Sequence, residues 1–352
     1  MIRRGLGVGV LALLLAAGVA MAAMPEGPRL VIVKLTPKPP RVELLTVNQS
    51  GGAPLRLAGG GWRSRRLPYF FSPLSWSPGG GMVAFSGIVG YRRGADPEPL
   101  LRLFTVRADG SGLRVIHGTS GASGPVFSPD GHTVAFTRSV ERQAPTTVGG
   151  KPREEGFDGA SIWTVDLFTG AQRQLTPWRD GLEYIASSFS PDGSTLLATH
   201  EDHLLLNEPE PVALELDGSG SRRLFEDGSS PVYSPDGSQI VMVRRTVAYG
   251  EDRGENADLY VIRADGTDAR RITHTPGHLE LFPSWDPSGE RLAYVRFSAV
   301  KTESGIYGFG DALMQVNADG TCRTKVASTP RTAFYMPAWQ PGPGREAGRI
   351  EC

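Results

Sequence analysis

The side chains in this chain with the most chemistry to offer are six histidines, two cysteines and a recurring aspartate. His117 and His132 stand alone, whereas His200-Glu201-Asp202-His203 and the pair His274 and His278 gather imidazole and carboxylate in short stretches. Such groups suit a transition-metal site, provided neutral imidazoles converge on one ion at about 2.1 Å. The plainer expectation is hydrated loop histidines, so no metal or other cofactor is assigned, and His200, His203, His274 and His278 are the residues to check. Asp130, Asp192 and Asp236 each sit in a Ser-Pro-Asp-Gly sequence, where turn chemistry accounts for them without a calcium ion. Neither a Gly-x-Ser-x-Gly elbow nor a phosphate-cradling glycine loop occurs. No catalytic residue is assigned.

What positions these groups is a repeat. Trp76-Ser77-Pro78-Gly79-Gly80, Phe127-Ser128-Pro129-Asp130-Gly131, Phe189-Ser190-Pro191-Asp192-Gly193, Tyr233-Ser234-Pro235-Asp236-Gly237 and Trp285-Asp286-Pro287-Ser288-Gly289 share one pattern. Trp339-Gln340-Pro341-Gly342 is a degraded sixth copy. The copies recur at roughly 50 residues, a period whose strand content points to propeller blades. In each turn Pro presets φ, Asp favours the third position and Gly accepts a positive φ at the fourth. The stretch from Pro231 to Thr273 shows the unit most clearly. A short strand runs into Tyr233, an almost wholly apolar one starts at Gln239, a third holds Leu259, and a fourth follows Ala264-Asp265-Gly266. Arg114, Arg173, Arg222, Arg270 and Arg323 open fourth strands, where cations on an outer edge discourage strand pairing.

The expected fold is therefore all-β: a six-bladed β-propeller of four-stranded antiparallel blades, a single domain over residues 23–352. Five blades are expected at about 68–118, 122–177, 183–226, 229–275 and 280–328. The sixth joins 332–341 to 29–59, so strands from both termini close it.

Ahead of the repeat, Arg3 and Arg4 precede an uncharged run from Gly5 to Ala20, and Ala20-Met21-Ala22 fits a small-x-small cleavage site. Residues 1–22 read as a signal peptide, with an uncleaved anchor as the alternative. As a helix the run spans only about 24 Å, short of a hydrocarbon core of about 30 Å. No stable membrane insertion is expected after cleavage, and the destination is periplasmic or extracellular. In such a compartment Cys322 and Cys352, placed by strand order on one face of neighbouring blades, are expected to pair. The 37 basic and 37 acidic side chains cancel, which removes the electrostatic basis for nucleic-acid binding. A monomer is expected.

The aromatic-Ser-Pro-Asp-Gly turn, the apolar strand after it, and an Asp-Gly turn leading to a strand that ends in Leu-Thr or Ile-Thr recur together. Gln174-Leu175-Thr176 and Arg270-Arg271-Ile272-Thr273 are examples. This pattern resembles the WD40-like (PD40) repeat of the TolB family over nearly the whole mature chain. The resemblance implies an exported propeller that binds envelope proteins. TolB also carries an N-terminal α/β domain, for which no room is seen between residue 22 and the first complete blade. The same repeat occurs in propellers of prolyl-oligopeptidase-type enzymes and in some pectin-degrading lyases.

Chain topology puts the tight turns on one face of the disc and the polar loops 87–100, 138–160, 244–257 and 298–311 on the other. Long loops on a rigid scaffold are where binding groups sit. Tyr91, Arg92, Arg93, Arg142, Lys151, Arg153, Phe157, Tyr249, Arg253, Tyr307 and Phe309 are the binding-face candidates, suited to a protein or polysaccharide partner. The expected function is that of a non-enzymatic scaffold in the cell envelope or outside the cell. The alternative is a polysaccharide lyase or metal-assisted hydrolase at the channel mouth, which requires a loop histidine to meet a carboxylate there.

Overall fold

The computed structural model describes residues 29–37, 40–48, 54–61, 73–91, 99–140, 159–202, 208–246, 256–302, 305–328, 333–342 and 348–352. The signal-like segment 1–22 lies outside them. Every regular element among the described residues is a strand, and the strands pair as antiparallel meanders. The first comprises β1 (Arg29–Pro37), β2 (Pro40–Asn48) and β3 (Leu55–Gly61). Then come β4 (Ser75–Trp76), β5 (Met82–Tyr91), β6 (Pro99–Arg107) and β7 (Arg114–Val115), followed by β8 (Ala122–Phe127), β9 (Thr133–Val140), β10 (Gly159–Asp166) and β11 (Gln172–Gln174). The fourth set is β12 (Leu182–Phe189), β13 (Thr195–Asp202), β14 (Glu210–Glu215) and β15 (Ser221–Arg223). The fifth is β16 (Ser229–Tyr233), β17 (Gln239–Thr246), β18 (Asn256–Arg263) and β19 (Arg270–Arg271). The sixth is β20 (His278–Trp285), β21 (Arg291–Thr302), β22 (Gly305–Asn317) and β23 (Thr324–Ser328). Last, β24 (Ala333–Trp339) returns to pair with β1, giving a sheet of order β24-β1-β2-β3 that unites the two ends of the described chain.

The reason Leu30-Val31-Ile32-Val33 is apolar without alternation is that both faces of β1 are covered. Val31 and Val33 pack with Trp76, Val83, Phe85 and Phe104 on one side. Leu30 and Ile32 pack with Val295, Phe297, Leu313 and Trp339 on the other. Each such side chain contributes about 1.5–3 kcal/mol by leaving water. The same sandwiching recurs between successive meanders, as where Leu197 and Leu224 meet Ile240 and Met242. The first strands neighbour one another in sequence, β4 beside β8, then β12, β16, β20 and β24, and β24 lies beside β4.

Two devices hold neighbouring meanders in register. In the first, each turn glycine lies on the preceding turn's proline: Gly131 on Pro78, Gly193 on Pro129, Gly237 on Pro191 and Gly289 on Pro235. A methyl group added to Gly237 would stand 3.1 Å from the Pro191 ring and face a φ of +75°. Gly80 closes the series against the Pro341 carbonyl. In the second, arginines at the outer strands donate to carbonyls of the next meander: Arg173 to Leu216 at 3.2 Å, Arg222 to Asp265 at 3.1 Å and Arg270 to Ala318 at 3.2 Å. This corrects the edge-protection reading of these residues. They tie meanders together because a guanidinium reaches several carbonyls from one backbone position.

The threonine that ends the Leu-Thr and Ile-Thr sequences also has a task. Thr176 and Thr273, and likewise Thr119 in the longer Ile116-His117-Gly118-Thr119 variant, accept the amides of Ile162, Leu259 and Leu103 at 2.8–3.0 Å, satisfying third-strand donors that the short fourth strands leave unpaired. At the other end of the chain, Cys322 and Cys352 form a disulfide with Cα atoms 5.3 Å apart. It fastens a tail that Asn317 also holds, exchanging hydrogen bonds with Ile350 at 2.7 and 3.0 Å.

Candidate functional site

The first strands of all the meanders converge on one cavity of about 400 Å³. Its wall includes Trp76, Phe127, Ser187, Tyr233, Phe282 and Met336, one from each of β4, β8, β12, β16, β20 and β24. The sequence positions these groups through a recurring bulge. Gly124, Ser230, Phe282 and Met336 take φ of 54–59° and are each followed by proline, and the register of β8, β16, β20 and β24 shifts at these points. A left-handed residue inside a strand turns the chain and re-aims its side chain. For Phe282 and Met336 that conformation is strained, and such strain concentrates at binding sites.

The cavity wall is chemically plain. Among its described lining residues there is no Asp, Glu, His, Lys, Arg or Cys. Its serines act as bolts between strands: Ser75 accepts the Phe127 amide at 3.0 Å, Ser188 the Tyr233 amide at 3.3 Å and Ser284 the Trp339 amide at 3.2 Å. A serine without an adjacent base is a poor nucleophile. Tyr233 is the one ionisable group in the wall, and its hydroxyl shares a hydrogen bond with Thr195 at 2.9 Å. Indole nitrogens add two more ties, Trp76 to the Ala338 carbonyl and Trp285 to the Val232 carbonyl, both at 3.0 Å. The surface offers apolar contact, ring faces and hydroxyls.

Among the described residues, no histidine lines this cavity. His200 on β13 lies 3.7 Å from Glu210 and packs on Tyr184. His274 is exposed, and His278 at the start of β20 contacts the Pro276 carbonyl through Nδ1 at 3.1 Å. His203 lies outside the described residues. Among those described, no three His, Cys, Asp or Glu side chains come together as a metal site. The repeated aspartates are occupied as acceptors. Hydrogen bonds from the Ser190 hydroxyl and from Ser194 hold Asp192 down at about 2. Asp130 and Asp236 are lowered in the same way, first by Ser128 and Ser234.

The loop candidates divide in two. Arg92, Arg93, Arg142, Lys151, Arg153, Phe157, Tyr249 and Arg253 lie outside the described residues. Tyr91, Tyr307 and Phe309 are described, and they stand on strands rather than loops. Residues 298–311 continue β21 and β22 as a hairpin, with Ser298 opposite Phe309, Val300 opposite Tyr307 and Thr302 opposite Gly305. The expectation of a loop there was wrong because β-branched and aromatic residues favour continued pairing over a polar connection. Tyr91 likewise ends β5, opposite Pro99.

Sequence reasoning also passed over a buried polar centre. Glu280 on β20 and Asp258 on β18 are both fully buried. Asp258 pairs with Arg271 at 2.6 Å, while Glu280 accepts from Thr275 at 2.8 Å and lies 3.6 Å from Arg323. Burial pushes the Glu280 carboxyl above its usual range. A glutamate inside the apolar stretch Leu279-Glu280-Leu281-Phe282 was the signal that could have revealed it.

Comparison with known proteins adds the following. No family model matches the chain. The Tol-Pal system protein TolB of Anaeromyxobacter sp. (strain K) is 31% identical over 132 residues, which is 36% of this chain and 27% of that protein. The chain thus spans little more than a quarter of that relative's length. The crystal structure of TolB from Acinetobacter baumannii superposes with a TM-score of 0.64 at 20% identity, over 89% of this chain and 67% of that one. A TolB-like structure from Agrobacterium tumefaciens gives 0.55 at 17% identity, over 89% and 98%. By its fold, this chain is a TolB-like β-propeller.

Proposed function

We propose that the chain is an exported, closed six-bladed propeller of four-stranded blades that binds another protein, in the cell envelope or outside the cell, without catalysing a reaction. The observation that carries this reading is the central cavity, whose described wall draws on six strands and offers no acid, base or activated nucleophile. Closure is supported by the neighbouring of β24 and β4 and by the Gly80–Pro341 contact. Export is supported by the charged, apolar and small-residue pattern of residues 1–22. A protein partner accords with the place that the name of the Anaeromyxobacter relative gives it in a Tol-Pal system.

The test is site-specific photo-crosslinking in cells, with benzoylphenylalanine at Ser187 in the cavity wall or at Ser219 on an exposed turn. A discrete protein adduct at position 187 that is missing at 219 is expected. Equal labelling at both positions, or release of unsaturated or reducing sugars from polygalacturonate by the purified protein, would overturn the proposal.

A further inference from the structure

Among the described residues, one turn departs from its repeat. At Arg107-Ala108-Asp109-Gly110, Glu215-Leu216-Asp217-Gly218, Arg263-Ala264-Asp265-Gly266 and Asn317-Ala318-Asp319-Gly320, the glycine amide donates to the carbonyl three residues back. Between β10 and β11 the Gly170 amide instead reaches the Asp166 carbonyl four residues back, at 2.9 Å. The turn is one residue longer, and Phe168 stands at its tip with 77% of its surface exposed. The His132 ring meets it edge-on, at a centroid distance of 5.0 Å.

The junction this turn faces also lacks the outer-strand arginine tie, although Arg138 on β9 donates to the Gly118 carbonyl at 2.8 Å. Arg114 on β7 is the counterpart of Arg173, Arg222 and Arg270, yet among the described residues it makes no bond to the next meander. Gly266 and Gly320 lie on the Leu224 and Ile272 carbonyls of the preceding meander, whereas Gly170, like Gly218, has nothing within 4 Å. Where the arginine tie is missing, a groove of about 910 Å³ lies between β6–β7 and this turn. The corresponding groove at the Arg173 junction measures about 300 Å³. Phe168, the most exposed large apolar side chain among the described residues, lines this groove.

The charges here are unequal. Arg107, Arg114 and His117 line the groove, and Asp166 is its one acidic lining residue. Asp166 is turned inward, accepting the Phe168 amide at 3.0 Å and the Thr169 amide and hydroxyl at 2.7 and 2.8 Å. An aromatic ring beside an unpaired guanidinium is the composition of an interface anchor, and a guanidinium takes a carboxylate in two hydrogen bonds.

We infer that this groove docks an acidic, extended peptide segment of a partner protein, with an apolar side chain on Phe168 and a carboxylate on Arg114. It shares no lining residue with the central cavity, so its failure would leave the cavity reading standing. The probe is a short fluorescein-labelled peptide of alternating leucine and glutamate, read by anisotropy on the full-length protein, with a leucine–lysine twin as control. The acidic peptide should bind, and Arg114→Glu or Phe168→Ser should each weaken it about tenfold or more. Arg270→Gln, which loosens a different junction, should leave binding unchanged. Melting temperature separates docking from structure: Arg114→Glu should melt like wild type, because Arg114 holds nothing in place. The inference is overturned by absence of binding, by equal binding of the lysine twin, by indifference to both groove variants, or by a fall in melting temperature for Arg114→Glu matching that for Arg270→Gln.

Discussion

Removing the Cys322–Cys352 disulfide should lower stability without altering the native fold, and the size of the loss follows from the chain. The two cysteines are 30 residues apart in sequence, and β23 and β24 lie inside the loop they close. Restricting such a loop in the unfolded chain removes about 12 cal/mol/K of entropy, or about 3.6 kcal/mol at room temperature. A chain of this length unfolds with an entropy of about 0.7 kcal/mol/K, so the melting temperature should fall by about 5 °C. The folded tail keeps its other ties: Arg291 donates to the Gly348 carbonyl at 2.5 and 2.8 Å, and Arg349 pairs with Asp319 at 2.5 Å. Calorimetric melts of the Cys322→Ser/Cys352→Ser variant, and of wild type with and without reductant, measure the effect. Near-ultraviolet circular dichroism at room temperature should be unchanged. A shift below about 1 °C would mean that the loop is already restricted when unfolded, and a shift beyond about 15 °C would mean that the bond holds the closing strand itself. Either result refutes the entropic account.

Three further outcomes follow from particular contacts. Glu280 is pushed upward first by burial and then by Asp258, against Arg323 and the Thr273 and Thr275 hydroxyls, with Tyr294 also facing it. The folded state therefore holds its proton more tightly, so stability is lost as pH rises from the ordinary carboxylate range through the raised value. Glu280→Gln should flatten that decline and gain on wild type at the upper end, as urea melts across pH will show. Gly80→Ala meets the Pro341 carbonyl with φ at +66° and should cost about 2 kcal/mol, whereas Gly79→Ala, with nothing within 4 Å, should cost well under half as much in the same melts. Thr273→Val keeps the shape but strands the buried Leu259 amide, which should cost about 1–3 kcal/mol and speed hydrogen exchange at Leu259.

Much of the fold was legible because turn chemistry is local. Pro235, Asp236 and Gly237 declare a turn by their own φ preferences and hydrogen bonds, and the strands on either side must then pair. What the residues do for the neighbouring meander was not legible, since Gly237 meets Pro191 and Arg270 meets Ala318 across sequence separations that no local pattern encodes. Residues 298–311 failed for another reason, because charge and glycine suggested a loop where cross-strand pairing prevails. The cavity itself was not anticipated: the repeat marked Trp76, Phe127 and Tyr233 as strand ends while binding was expected on the loops, and the serine bolts and the bulges at Ser230, Phe282 and Met336 have no local signature. In a repeat protein the copies that agree describe the scaffold, and a copy that disagrees is where selection acted on something besides folding. By that reasoning Phe168 was discoverable: aligning the Asp-Gly turns exposes the inserted residue, and an inserted aromatic at an exposed tip has no folding role to explain it.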